Sequence, residues 1–383
     1  MITWRSGTVV SHGRSWPGAL EMTVRLAGED PREAADDVPA ADVRALAYTG
    51  LVGEPAPGSR VLLNVGALRR GLGTGGYALA VAPADALPAD PPPGPGHLVK
   101  ARYTPLQTLV LGVDEQESPH HDTLRDADDL DGLPVVVADL HSALPAILAG
   151  ARHAAALAGR RAPRAVYVMT DGGALPAAFS RTVAGLREAG WLDASVTVGQ
   201  AFGGDLEAVT VHTGLLAARH VADAELVVVA QGPGNLGTGT RWGFSGVAAG
   251  EAVNAAATLG GQAVASLRVS GADARDRHRG VSHHSLTAYG RVALAPADVP
   301  VPVPDPEVAA TWPAGLPERI REQAATLTRC PAGHRLVDVP ADAGLLAALA
   351  ATPVGLSTMG RGLDGDPASF VAAAVAGVHA AGV

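Results

Sequence analysis

The chain is predicted to be an α/β protein in which a mostly parallel sheet carries helices on both faces and is preceded by a small all-β, barrel-like domain. Three observations predict it. Residues 1 to about 82 hold five short runs of Val, Leu, Thr and Tyr separated by turn residues, the pattern of a small barrel or sandwich. From His97 onward apolar runs alternate with helix-length, alanine-rich segments, the wiring that right-handed βα crossovers stack into a parallel sheet. Between them, residues 83–96 hold Pro88, Pro91, Pro92, Pro93 and Pro95, a stiff polar linker. The domains expected are therefore 1–92, a small barrel or sandwich, and 93–383, an α/β domain with a C-terminal helical extension.

The five strands of the first domain are expected at residues 3–10, 21–26, 42–48, 60–65 and 77–81. Before the last of them comes a glycine cluster, Gly71, Leu72, Gly73, Thr74, Gly75 and Gly76, behind Arg69 and Arg70. It reads as an anion loop or, with no helix after it, as a hairpin. In the second domain residues 97–103 and 108–113 lead in as strands, and 115–131 is an acidic loop holding His120, His121 and Asp122. Then come strand 134–140, helix 142–158, strand 164–170, a helix to about 189, strand 195–200, a glycine loop at 201–205, a mostly helical 206–221, strand 225–230, helix 246–259 and strand 262–269. Residues 292–306 are extended and proline-rich. The tail adds helix 317–327, strand 335–339 and two apolar helices, 341–351 and 367–379.

Composition excludes several function classes. A net charge of −9 leaves no basic stripe for general nucleic-acid binding. No apolar run reaches the roughly 18 residues needed to span a bilayer, and the start, MITWRSGTVV, has no signal-peptide core, so a cytoplasmic location is expected. One cysteine, Cys330, rules out internal disulfides and cysteine-rich zinc sites. Of the 29 basic residues only Lys100 is lysine. In a chain so biased to arginine it is either a base, nucleophile or compact anion contact, or a surface lysine that arose by drift.

The functional residues are expected on loops at the strand ends, where open α/β sheets bind their ligands. After the buried run ending at Ala230, the residues Gly232, Pro233, Gly234, Asn235, Leu236, Gly237, Thr238 and Gly239 keep side chains away from backbone amides that can face an anion, in front of a helix N-terminus. Asp139 and His141 follow one strand, Asp171, Gly172 and Gly173 a second, and Gln200, Gly203, Gly204, Asp205 and Glu207 a third. Each aspartate reads either as a helix N-cap or as a group in a shared cleft that orients a ligand or holds a divalent ion, with Asp139 and His141 the metal candidates. The loop 271–285 is the most chemical: Arg275, Arg277 and Arg279 alternate around His278, and Ser282 caps a short helix carrying His283 and His284. Arg277 and Arg279 are expected to grip a phosphate or carboxylate. His283 and His284, kept neutral at a helix start, offer a base or a metal ligand, and because neighbours diverge on a helix only one is expected to face a given ligand. The plain alternative is a solvated loop packed by Arg and Asp pairs. No phosphate-binding P-loop ending, nucleophile elbow or His-Glu-x-x-His pair is present.

The strings YALAVAP, GHLVKARYTPLQTLVLGVDEQ, DLHSAL, YVMTDGGALP, VTVGQAFGGDLEAV, GPGNLGTGT, RHRGVSHHSLTA and STMGRGLDGDPASF resemble the signature blocks of a bacterial family known as domain of unknown function 3866. The resemblance implies a bacterial, soluble protein and transfers no catalytic residue. Two expectations remain. One is a cytoplasmic small-molecule enzyme of hydrolase or transferase type, binding an anionic or phosphorylated metabolite at the C-terminal ends of the strands, with His283, His284, Asp171, Asp205 and Lys100 as its chemical groups and a divalent metal left open as cofactor. The other is a non-catalytic ligand-binding or assembly module, with homo-oligomerisation left open. Neither involves nucleic acid or membrane.

Overall fold

The computed structural model describes residues 2–27, 42–72, 75–172 and 175–382. They fall into two compact units, Met1–Pro95 with Ala101–Thr108, and Gly96–Lys100 with Leu109–Val383. In the first unit five strands close a barrel: β1 (Trp4–Trp16), β2 (Ala19–Leu26), β3 (Asp42–Tyr48), β4 (Arg60–Asn64) and β5 (Ala78–Pro83), in the order β1-β2-β3-β5-β4. Alternation places Leu20, Met22 and Val24, Ala45 and Ala47, Val61 and Leu63, and Ala78 and Ala80 in one core, as a period of two requires. The glycine cluster joins the antiparallel neighbours β4 and β5. Gly71, Gly75 and Gly76 take positive φ there, whereas Gly73 and Thr74 lie outside the described residues.

The second unit opens with a two-stranded pair, β6 (Leu98–Lys100) and β7 (Thr108–Val110). Its main sheet is built from β8 (Pro134–Val137), β9 (Ala165–Thr170), β10 (Ala194–Val198), β11 (Leu206–Ala208), β12 (Leu226–Gln231), β13 (Gln262–Ala265), β16 (Asp298–Pro304) and β17 (Arg335–Ala341). A separate ribbon pairs β14 (Val269–Ser270) with β15 (Gly280–Val281). The main sheet is parallel throughout, in the order β11-β10-β9-β12-β8-β13-β16-β17. All six residues of β12 are buried, because helices cover a parallel sheet on both sides. The covering helices are α1 (Leu144–Leu157), α2 (Arg181–Glu188), α3 (Val211–His220), α4 (Ala248–Thr258), α5 (His283–Thr287), α6 (Leu316–Ala325), α7 (Ala343–Ala350) and α8 (Pro367–Ala380). None of the helices is long and apolar enough to cross a membrane, among the described residues.

Two segments depart from the sequence reading. Residues 206–208, expected to start a helix, form the edge strand β11 instead, and α3 begins only at Val211, capped by Thr210. The polar spacing of Glu207 and the two bonding edges of β10 favour a short edge strand over one more helical turn. The proline-rich run 298–304 is extended, as expected, and goes further to form a full strand inside the sheet. Its prolines, Pro300, Pro302 and Pro304, fall at alternate positions and so remove N–H donors from one side only. Along the other side β16 pairs with β17 over seven residues, while its pairing with β13 is reduced to Val264↔Asp298.

α1 and α8 approach so closely that a Cβ added at Gly150 would collide with the Ala374 carbonyl, and one at Gly377 with the Ile147 carbonyl. Backbone on both sides of the contact cannot yield as a side chain can. Gly150→Ala is therefore expected to cost about 1–3 kcal/mol or more in urea unfolding. Gly94→Ala, with open space around its position, is expected to leave the midpoint unchanged.

Candidate functional site

The sheet order dictates where its strand ends stay open. The chain leaves β8 through α1 toward β9 on one side, and leaves β12 through α4 toward β13 on the other. β8 and β12 are neighbours, so their connections part and leave a crevice above their C-terminal ends. Two residues beyond the Val229↔Val137 pair, Gln231 and Asp139 face each other across it. Gln231 Nε2 donates to the Asp139 carbonyl at 3.0 Å. Both side chains are buried, yet Gln231 Oε1 and Asp139 Oδ2 have no hydrogen-bond partner. Burial raises the Asp139 carboxyl to about 6, against the lowering pull of Arg268.

The third wall is the arginine–histidine segment. Arg268 follows β13, and its Nη1 lies 3.1 Å from His284 Nδ1, which is itself 4.0 Å from Asp139 Oδ2. Ser282 caps α5 by accepting the His284 amide at 3.2 Å, and its Oγ also meets His278 Nδ1 at 2.7 Å. The expectation that adjacent histidines part company does not hold here. The rings of His283 and His284 have centroids 4.4 Å apart, and His278 lies 4.9 Å and 5.0 Å from them. Side chains on the first turn of a helix lean toward its N-terminus, so both rings swing into the space in front of α5, where the turn holding His278 already lies. Phe244 stacks flat on His284, 3.8 Å between centroids. Burial first and Arg268 second hold His278 and His284 down to about 3. His283 is lowered by burial and then by Arg277 and Arg268. All three imidazoles are thus neutral at pH 7. One nitrogen from each lies within 4.8 Å of the others, the one group of three or more His, Cys, Asp or Glu so spaced among the described residues. His283 Nε2 is buried without a partner.

The glycine loop borders the same crevice, and two of its amides are taken up within the loop itself. Leu236 donates its amide to Ser245 Oγ at 3.0 Å and Thr238 its amide to the Gly243 carbonyl at 2.7 Å. Gly237 bridges Phe244, so residues 236–245 fold into a hairpin that brings Phe244 onto His284. Gly234 and Gly239 supply the positive φ values of its turns. Gly232 packs tightly against Leu175 and Met169. Asn235 Oδ1 accepts from Ser245 Oγ at 2.8 Å, which leaves its buried Nδ2 unpartnered. Beside it an open cavity of about 330 Å³ is lined by Ser142, Thr182, Gln231, Gly234, Asn235 and Thr358 with others.

Other expected residues lie elsewhere or are committed to structure. His141 lines that cavity, but its Nδ1 meets Tyr167 Oη at 3.0 Å and its Nε2 meets Ser180 Oγ at 2.7 Å. Both ring nitrogens are spent, so it has no lone pair for a metal. Asp205 is not at the cleft: it accepts from the Ser195 amide at 2.7 Å and from Ser195 Oγ at 2.8 Å, and pairs with Arg187. Ser195 opens β10, and the parallel register Val196↔Leu206 carries Asp205 back to the N-terminal end of the sheet. Gly203 and Gly204 lie on that return, their amides donated to Glu207 Oε1 and Thr197 Oγ1. Lys100 is no surface lysine, nor is it near the histidines. It is fully buried, with Nζ donating to the carbonyls of Gly199, Ala201 and Ala208 at 2.8, 2.8 and 3.3 Å and lying 3.2 Å from Glu207 Oε2. Burial lowers Lys100 and raises Glu207, and their mutual attraction opposes both shifts. Asp171 sits at the end of β9, exposed, and accepts the Gln200 amide at 3.2 Å; Gly173 lies outside the described residues. Of the exposed arginines, Arg277 lowers His283 and His284, while Arg279 turns to the Asp273 carbonyl at 3.4 Å.

The chain belongs to the family described as protein of unknown function (DUF3866), whose pattern matches residues 44–377 and so spans every residue of the crevice. No curated protein matches it.

The residues that sequence reasoning missed are Gln231, Arg268 and Phe244, with His278 noticed but not given a role. Gln231 and Arg268 shared one readable signal, a polar side chain at the end of an otherwise apolar strand. Because Lys100 and Glu207 compensate each other in the interior, Lys100→Met is expected to strand the carboxylate and cost about 3–5 kcal/mol in denaturant unfolding. Ligand binding at the histidine crevice is expected to be unaffected. A stable Lys100→Met protein would return Lys100 to the list of functional groups.

Proposed function

We propose that this protein is a cytoplasmic bacterial enzyme of hydrolase or transferase type that binds a small anionic or phosphorylated metabolite in the crevice above β8, β12 and β13. One observation carries the reading: Asp139 Oδ2, Gln231 Oε1, Asn235 Nδ2 and His283 Nε2 are buried polar atoms without partners, and all four belong to the walls of that crevice. Buried polar groups are almost always hydrogen-bonded, so a cluster left open is a place for bound water or a ligand. Arg268, Arg277 and Arg241 supply the positive potential for an anion, because all three depress the nearby imidazoles. Neutral imidazoles and a buried carboxyl beside them are the groups that exchange protons with a bound substrate.

The test is a thermal-shift screen of inorganic phosphate, phosphomonoesters, nucleotides and dicarboxylates, with Trp242 fluorescence as a second readout since that exposed ring sits on the hairpin. At least one anion is expected to raise Tm by a few degrees, in line with the roughly 2.7 kcal/mol gained at a hundredfold excess over Kd. Arg268→Gln and Arg277→Gln are expected to abolish or sharply reduce the shift. A shift that survives in both variants places the ligand elsewhere, and a panel with no binder removes the reading. A binder recovered chemically unchanged after long incubation favours the non-catalytic module instead.

A further inference from the structure

We infer that His278, His283 and His284 form a binding site for one divalent transition-metal ion, with zinc the best match to the donors. The inference goes beyond the proposed function, since three imidazoles bind a metal whether or not a substrate follows. Only the ion's task, polarising an anion held by Arg268 and Arg277, rests on that reading.

The geometry is that of a ligand set before closure. Nitrogens bound to one tetrahedral ion at 2.0–2.1 Å are roughly 3.4 Å apart, and the three here lie within 4.8 Å of one another. Small rotations of three rings on one short helix and the turn before it would close the difference. His278 has the orientation that ligating histidines need, with one nitrogen fixed by a protein partner and the other left for the ion. His278 Nδ1 is held by Ser282 Oγ at 2.7 Å. At His284, Nδ1 accepts from Arg268 Nη1 at 3.1 Å, while Asp139 Oδ2, 4.0 Å away, is beyond hydrogen-bond reach, so this ring offers its lone pair to an ion once Arg268 turns away. His283 offers a buried Nε2 that no protein atom satisfies. Phe244, stacked on His284, fixes that ring in place.

The donor chemistry selects the ion. Three neutral nitrogens and no first-rank oxygen ligand suit zinc, cobalt, nickel or copper and not magnesium or calcium. Three protein ligands also leave a coordination position for water or substrate, the mark of catalytic rather than structural zinc sites. Against the ion stand four guanidinium groups: Arg268, Arg275, Arg277 and Arg241 all act on the cluster. On the favourable side are Asp139 and Asp273, and Asp273 is already committed to Arg275 through bonds of 2.9 Å and 2.8 Å. A positive surround weakens cation binding but strengthens binding of whatever anion sits on the metal.

The test uses the full-length protein freed of any affinity tag. Metal content is measured after purification, and zinc and cobalt are titrated into chelator-stripped protein, following the heat of binding and the visible absorption of tetrahedral cobalt. One equivalent is expected, with the cobalt spectrum displaced by zinc. His283→Ala and His284→Ala are each expected to weaken binding at least about 100-fold, since loss of even an outer partner costs roughly 10–100-fold. His120→Ala, outside the cluster, is expected to bind as the parent does. His278 is buried, so His278→Ala is read only alongside its circular dichroism and melting curve, and the half-buried His283 decides. Binding below one equivalent, or equal affinity in His283→Ala and His284→Ala, overturns the site. A metal that binds while no anion does leaves this inference standing and removes the proposed function; anion binding without metal does the reverse.

Discussion

Everything at the candidate site depends on a connection constraint. A right-handed crossover obliges the helix after a parallel strand to lie on the face set by the direction of travel. Where neighbouring strands send their chains in opposite directions, no helix covers their shared end. β8 and β12 are such neighbours, because α1 leads toward β9 and α4 toward β13. The same constraint explains why two buried polar side chains, Asp139 and Gln231, can exist at the ends of otherwise apolar strands. They meet space left by topology, and the Gln231 bond to the Asp139 carbonyl fixes the strand ends relative to each other.

The electrostatics of the crevice follow from how its walls are delivered. α5 is too short to act through its dipole alone, and the neutral state of its histidines comes from burial first and then from guanidinium groups on the β13 end and the loop before α5. Cationic side chains gathered around uncharged imidazoles make a site that disfavours their protonation. Asp139 stands against that field: burial disfavours its charged form and Arg268 favours it. A carboxyl and three imidazoles held at different distances from water are the kind of set that acid–base chemistry uses.

Most of the architecture was legible because its signals are local. Alternation in the barrel strands and repeated apolar run, polar turn and helix in the second unit need no knowledge of distant contacts. The failures came where a local rule met a competing long-range one. Asp205 and Glu207 follow a strand just as Asp139 does, and nothing nearby in sequence reveals that the chain doubles back to add β11 beside β10. Lys100 stood out by composition, and composition could not show its surroundings: the residue ties three carbonyls and a carboxylate in the interior. The glycine loop was legible as a border of the cleft. Two of its amides, those of Leu236 and Thr238, are taken up by the partner strand of the hairpin through Ser245 and Gly243, which no local signal reveals.

The close contact of α1 and α8 carries a consequence for the crevice itself. Gly150 and Gly377 let two helix backbones touch, which fixes the height at which α8 begins. Asp366, the residue before α8, takes the Ser270 hydroxyl and the Gly271 amide on the β14 side and also pairs with Arg361. Arg361 reaches on to Asp273 at 3.6 Å, and Asp273 holds Arg275. A few residues earlier Thr358 meets Ser142 at 3.2 Å, at the start of the segment leading into α1. Two absent side chains therefore set the position of an acid–base chain that runs from the C-terminal helix to the loop carrying His278. Moving α8 outward by the width of one methyl group would shift both ends of that chain, so the packing of the far helices and the placement of the histidines are one mechanical problem.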